Sequence, residues 1–280
     1  MSGCQNDSRE NRNMKIGYVQ MNPTFGEIER NLDHAEALIG GATADLLVLP
    51  ELFNTGYLIT SKEEIRVLAE EVPGGRTTQR LAAIAKKRNV HLVAGMAERS
   101  GEQIFNAAVL VSPRGFVASY RKIHLFFEEK RWFDPGDGEF PVFDIGLCRI
   151  GIMVCFDWFF PESARILALK GAQVICHPSN LVLPYCQTAM ITRCLENRIF
   201  TVTCNRTGTE ERGGKTLRYT GASQIVDTGG NILSRAGENE EVSVVVDIEP
   251  AKALDKQLNP HNNLFGDRRP GFYKEICKSG

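Results

Sequence analysis

What this 280-residue chain lacks narrows its possibilities first. No apolar stretch approaches the ~20 residues that cross a bilayer as a helix, so no helical membrane span is expected. Charge of neither sign dominates: 33 Lys and Arg stand against 34 Asp and Glu. That balance leaves no basic footprint for nucleic acid or for an anionic membrane surface. Eight cysteines are present, but there is no CxxC pair, and the spacings among Cys176, Cys186, Cys194 and Cys204 fit no zinc pattern. Reduced core thiols are the expectation, with no metal and no cofactor. No Pro/Gly/Ser-rich linker, repeat or low-complexity tract interrupts the chain, so one domain is expected over 14–280. Residues 1–13 are polar and lack the apolar region of a signal peptide, which reads as a disordered leader and a cytoplasmic protein.

What is there alternates between two periods. Apolar runs at 15–21, 45–50, 91–97, 107–111, 149–154, 173–176, 201–204, 222–226 and 242–247 read as strands. Helical spacing covers 28–40, 78–89, 161–171 and 187–200, with Leu32, Ala35, Leu38 and Ile39 facing inward in the first. In the last, Met190, Ile191, Cys194, Leu195 and Ile199 form the apolar stripe. An α/β fold of two mixed sheets between helix layers fits this order. With 42% hydrophobic residues the chain has ample material for a full core.

Three strand ends deliver reactive side chains. Cys155 follows the apolar strand 149–154 and precedes Pro161, which suits a first helical turn. A lone cysteine is ordinarily a small core residue. At an elbow, however, a thiol stands near the N–H groups that open a helix, which lower its pKa and hold an oxyanion. Glu51 ends the run Asp45-Leu-Leu-Val-Leu-Pro-Glu51, and Lys122 follows the strand 107–111 and its turn. A thiol attacking an amide or nitrile carbon needs a base, a cation or N–H pair for the developing charge, and a proton for departing nitrogen. Glu51, Lys122 and Cys155 supply those parts without a histidine.

The segments LPELFNTGY (49–57), YRKIHLF (120–126) and GIMVCFDWFFPE (151–162), with HPSN at 177–180, resemble the signatures of the nitrilase, or carbon–nitrogen hydrolase, superfamily. The resemblance runs from about 14 to 273 and is strongest to the short amidase and aliphatic-nitrilase members. It implies a four-layer αββα sandwich and a Glu51–Lys122–Cys155 triad, with the Phe156 N–H as a second oxyanion donor. It also implies a further glutamate beside the lysine. Glu128 and Glu129 both qualify; Glu129 is favoured by its spacing to Trp132-Phe133 and the Pro135-Gly136-Asp137 turn, while a solvated charge run is the alternative.

His124 and His177 invite a Cys–His reading, but structural hydrogen bonding explains turn histidines more simply. Asn180 is expected to line the pocket. Phe53, Tyr57, Phe126, Trp132 and Trp158 are the aromatics available to shape it, some of them expected as ordinary core, with Tyr57, Phe156, Trp158 and Asn180 as substrate contacts. Relatives that take N-carbamoyl amino acids carry an arginine soon after the nucleophile, where this chain has Phe156, Asp157, Trp158 and Phe159. The expected activity is therefore hydrolysis of a small aliphatic amide or ureide to acid and ammonia. A nitrilase is the alternative, ahead of an N-carbamoyl-amine amidohydrolase or a catalytically silent interaction protein. The resemblance also implies a homodimer or higher homo-oligomer, paired through the helices after Cys155 and an aromatic, basic arm from about residue 258.

Overall fold

Leu46, Leu47 and Val48 are all buried, as expected of a strand covered on both faces. Such strands require partners on each edge and layers above and below, and the computed structural model, which describes residues 13–278, supplies both. In chain order its elements are β1 (Met14–Gln20), α1 (Ile28–Gly40), β2 (Leu46–Val48), α2 (Lys62–Leu68), α3 (Arg76–Arg88), β3 (His91–Ser100), β4 (Gln103–Ser112) and β5 (Gly115–Arg121). There follow α4 (Glu129–Trp132), β6 (Val142–Asp144), β7 (Arg149–Ile152), a 3-10 turn at Cys155–Phe159, α5 (Pro161–Leu169), β8 (Val174–Ser179), α6 (Cys186–Asn197) and β9 (Phe200–Asn205). Next come β10 (Thr209–Arg212), β11 (Lys215–Arg218), β12 (Gln224–Val226), β13 (Ile232–Arg235) and β14 (Val242–Ile248), and the short hairpin β15 (Gln257–Asn259) and β16 (Asn262–Asn263) follows, with 3-10 turns at Pro250–Ala253, Pro270–Phe272 and Lys274–Cys277. The leader expected over 1–13 lies, except for Asn13, outside the described residues.

One six-stranded sheet has the order β14-β1-β2-β3-β4-β5 and the other β13-β12-β9-β8-β7-β6. Each has a parallel centre, β1-β2-β3 in one and β9-β8-β7 in the other, flanked by antiparallel strands. Period-2 alternation sorts the first sheet's side chains: Leu46, Val48 and Val93 enter a core shared with Ile150, Ile152, Val174 and Cys176 of the second sheet. Leu47, Leu49, Leu92 and Ala94 face the other way, against Leu32, Ala35 and Ile39 of α1 and Leu81, Ile84 and Ala85 of α3. On the far side, Ala164, Leu167 and Ala168 of α5 and Met190 of α6 cover the second sheet. This is the αββα sandwich. Each fully buried aliphatic side chain contributes roughly 1.5–3 kcal/mol, in the sheet-to-sheet layer and in both helix-to-sheet layers alike.

The differences from expectation have physical causes. β5 is an edge strand whose Phe116 and Val117 are exposed, and its sequence shows no clean alternation. It carries Lys122 back beside β4, where the Lys122 N–H donates to the Asn106 carbonyl at 2.8 Å. The hairpin β10–β11 is mostly polar and gave no hydrophobic signal. In α6 the inward face is Cys186, Met190, Cys194 and Asn197, so Leu195 is exposed. Ile199 lies beyond that helix, past Arg198 in the left-handed region. Phe53, one of the aromatics available to shape the pocket, is fully buried in the layer under α1 and α3. The described cysteines are free; six are buried, but Cys277 is exposed, against the expectation of a core position. No helix among the described residues is long and apolar enough to cross a membrane.

The turn after β2 rests directly on β3: a Cβ on Gly95 would lie 2.4 Å from Glu51 Cα and 2.9 Å from the Pro50 carbonyl oxygen. Both neighbours are backbone and cannot rotate away. Gly95→Ala should therefore destabilise the fold by about 1–3 kcal/mol, the usual cost of overpacking. Thermal unfolding measures this, and an unchanged melting temperature would mean that the approach is looser than described.

Candidate active site

Four strand ends meet at one edge of the sandwich. Glu51 follows β2 and Lys122 follows β5, both in the first sheet; Cys155 follows β7 and Asn180 follows β8, both in the second. Gly136 clamps the lysine turn, donating its N–H to the Lys122 carbonyl at 2.8 Å. A Cβ there would lie 2.1 Å from the Arg121 carbonyl oxygen, so only glycine permits the approach.

Lys122 is fully buried between two carboxylates. Its Nζ lies 2.7 Å from Glu51 Oε1 and 2.8 and 2.7 Å from the two oxygens of Glu129. Glu51 Oε1 also accepts from Asn106 Nδ2 at 2.7 Å, while Glu51 Oε2 accepts no hydrogen bond from the protein. Glu129 further accepts from the Tyr57 hydroxyl at 2.6 Å. Burial alone disfavours the Lys122 ammonium, but Glu129 and then Glu51 outweigh it and hold its pKa well above the ordinary value. Burial pushes the Glu129 pKa up, with Lys122 opposing. Burial and then the Glu51 charge push the Cys155 thiol well above its ordinary range, with Lys122 pulling the other way. The elbow therefore does not lower the thiol's pKa, contrary to the sequence argument, because the thiol sits in a dry site facing a carboxylate.

Cys155 has φ +41, a left-handed conformation that non-glycine residues adopt at a cost. Two contacts hold it. The Cys155 carbonyl lies 2.9 Å from His177 Nε2, and the preceding Val154 N–H donates to Asp157 Oδ2 at 2.8 Å. His177 is fully buried, and desolvation lowers its pKa to about 4, so it stays neutral and supports the turn. His124 is likewise structural, with Nδ1 2.8 Å from Asp157 Oδ1.

Asn180 lines the Cys155 cleft and donates Nδ2 to the Glu51 carbonyl at 2.8 Å. Phe126, Phe156, Trp158 and Leu181 form the apolar wall of this cleft. Tyr57 and Trp132 line an adjoining apolar cleft that shares Phe126 and Val182 with the first. Of the adjacent glutamates, Glu129 is buried against Lys122, whereas Glu128 turns outward to pair with Lys215 and Arg131.

Sequence reasoning missed Asn106 and Glu210. Asn106 is a polar residue inside an otherwise apolar strand, and that interruption was a readable signal. Glu210 accepts from the Tyr57 and Leu58 N–H groups, the Tyr219 hydroxyl and Arg206, and so holds the Tyr57 loop. No local pattern marks it, because its partners are mostly distant in sequence.

Comparison with known proteins gives one answer. A family model described as carbon-nitrogen hydrolase matches residues 15–254. A Pyrococcus abyssi protein named nitrilase is 49% identical over 263 residues, spanning 93% of this chain and 99% of its own length. A solved carbon-nitrogen hydrolase from Helicobacter pylori G27 superposes with a TM-score of 0.88 at 26% identity, covering 96% of this chain and 100% of that one. A variant of the Nesterenkonia sp. AN1 amidase, solved with butyramide, superposes with a TM-score of 0.76 at 29% identity, covering 95% and 98%.

The geometry separates the paired glutamates. Glu129→Gln should cut turnover roughly 10²-fold, as when positioned charge is lost, while Glu128→Gln should stay within about threefold. Ammonia release under saturating substrate compares the two, and the reverse ranking would move the role to Glu128.

Proposed function

Because the chain belongs to the carbon-nitrogen hydrolase family, we propose that it cleaves a small aliphatic amide to the carboxylic acid and ammonia through a thioester on Cys155. The observation that carries this reading is the buried Lys122 ammonium, gripped by Glu51 and Glu129 at the cleft where Cys155 lies, with one Glu51 oxygen left free. Glu51 takes the thiol proton as sulfur attacks the carbonyl carbon. The carbonyl electron pair moves to oxygen, which Lys122 and the Phe156 N–H stabilise. The intermediate collapses, Glu51 returns the proton to nitrogen, and ammonia leaves the thioester. Water then attacks with Glu51 as base, the C–S bond breaks, and the thiolate recovers its proton from Glu51. No step requires a metal or cofactor. Glu129 and Asn106 act by positioning, the first on Lys122 and the second on Glu51.

A nitrile is the second reading, favoured by the Pyrococcus abyssi relative named nitrilase. Sulfur would add to the C≡N carbon to give a thioimidate, and water addition with loss of ammonia would lead to the same thioester. The aromatic wall supports small apolar acyl groups. Among the described residues, no cationic side chain besides the ion-paired Lys122 lies at the Cys155 cleft, and apolar rings cannot replace the bidentate pairing that a carboxylate prefers. Tyr57, Phe156, Trp158 and Asn180 are the proposed substrate contacts.

We also read the protein as a homo-oligomer. Ile166 and Leu169 of α5, Leu195 of α6 and, in the C-terminal segment, Phe272 and Ile276 are exposed apolar side chains that a partner copy would cover.

Butyramide, butyronitrile and an N-carbamoyl amino acid of similar size, assayed side by side for ammonia release, test the substrate reading. The expected order places butyramide first, with kcat/KM at least about tenfold above the carboxylate compound, a difference of 1.4 kcal/mol. A preference for the carboxylate compound would overturn it.

A further inference from the structure

Asp157 is fully buried, and every bond its carboxylate makes reaches a residue flanking one of two reactive side chains. Oδ2 accepts from the Val154 N–H at 2.8 Å, immediately before Cys155, and from the Tyr120 hydroxyl at 2.8 Å, two residues before Lys122. Oδ1 accepts from the His124 N–H at 3.2 Å, two residues after Lys122, and lies 2.8 Å from His124 Nδ1. Because a carboxylate only accepts, that ring nitrogen carries the hydrogen. The His124 ring stacks on Phe160 with centroids 3.7 Å apart, which ties the same two segments a second time.

This carboxylate spans the seam between the sheets. Lys122 follows the edge strand of the first sheet and Cys155 follows a strand of the second; no shared hydrogen-bond ladder sets their separation. Burying an ion is costly unless its lone pairs are satisfied, and here all the partners are supplied by the two segments that must be brought together. A residue needed only for core packing would be replaced more cheaply by an apolar side chain.

We propose that Asp157 is a positioning residue that fixes the placement of Cys155 relative to Lys122, and thereby the alignment of thiol and oxyanion site. The proposal rests on the reading that these two side chains act on one substrate. It requires neither contact of Asp157 with substrate nor a change in its charge state during turnover.

The test compares Asp157→Ala, Asp157→Asn, Tyr120→Phe and the double variant Tyr120→Phe/Asp157→Ala in butyramide hydrolysis, with folding checked by thermal melting. Misplacement of reacting groups by about 1 Å costs roughly 10²-fold, so Asp157→Ala should lower kcat by about that factor with KM within about threefold. Asp157→Asn can turn its oxygen to Val154 and Tyr120 but sets its amide nitrogen against the two His124 N–H donors, and should recover only about threefold of the loss. Tyr120→Phe should lose about three- to tenfold in kcat, and the double variant should be no worse than Asp157→Ala, since both act through one carboxylate. Alkylation of the Cys155 peptide by iodoacetamide, followed by mass spectrometry, should slow in parallel with kcat. A folded Asp157→Ala protein with near-normal kcat, a loss carried wholly by KM, or fully multiplicative single effects would overturn the proposal. If Asp157→Ala does not fold, Tyr120→Phe decides alone: a kcat loss at constant KM upholds the clasp, and an unchanged kcat overturns it. Cys155→Ala is the separate control; turnover surviving in it would defeat the nucleophile assignment itself.

Discussion

The ammonium of Lys122, enclosed by Glu51 and Glu129 away from water, is the interaction on which the rest of the site depends. A buried lysine alone would lose its proton, and a buried carboxylate alone would gain one. Here Glu129 and Glu51 hold the lysine's pKa up against its burial, and the arrangement leaves Glu51 Oε2 without a protein donor. Burial and the Glu51 charge push the pKa of the neighbouring Cys155 thiol up, with Lys122 opposing. Tyr57 and Asn106 complete the arrangement by occupying oxygens of the two glutamates.

Such a cluster holds its geometry only if its supports are rigid, and here they come from two sheets. Glu51, Asn106 and Lys122 belong to the first sheet, and Cys155 and Asn180 to the second. The apolar layer between the sheets therefore does more than stabilise the fold, because it also fixes the position of the Cys155 thiol relative to Glu51. Close approaches at Gly95 and Gly136, the Asn180 bond to the Glu51 backbone and the Asp157 bonds convert that general packing into local registration. Glu210 does the same for the Tyr57 loop from the β10–β11 hairpin.

Much of this was legible in the chain itself. The parallel central strands announced themselves as uninterrupted apolar runs, and the three reactive residues each stood where such a run or its hairpin ended. Glu129, favoured over Glu128 by its spacing to the aromatics that follow, is the one buried against Lys122. The sequence argument failed where tertiary context decides. Thiol ionisation depends on burial and on a carboxylate 104 positions away, which local helix-opening geometry does not reveal. Phe53 and Leu195 are apolar in either setting, and only the packed layers show that one is core and the other surface. Edge strands such as β5 and polar hairpins such as β10–β11 bury too little to leave a periodic trace.

The central claim is that the acyl group of the substrate resides on Cys155 during turnover. Acid quenching of the protein while it hydrolyses butyramide, followed by peptide mass mapping alongside the Cys155→Ala variant, tests this most directly. The account predicts a butyryl thioester on the peptide carrying Cys155 and no turnover in the variant. A butyryl group on any other residue, or ammonia release that persists in Cys155→Ala, would contradict it.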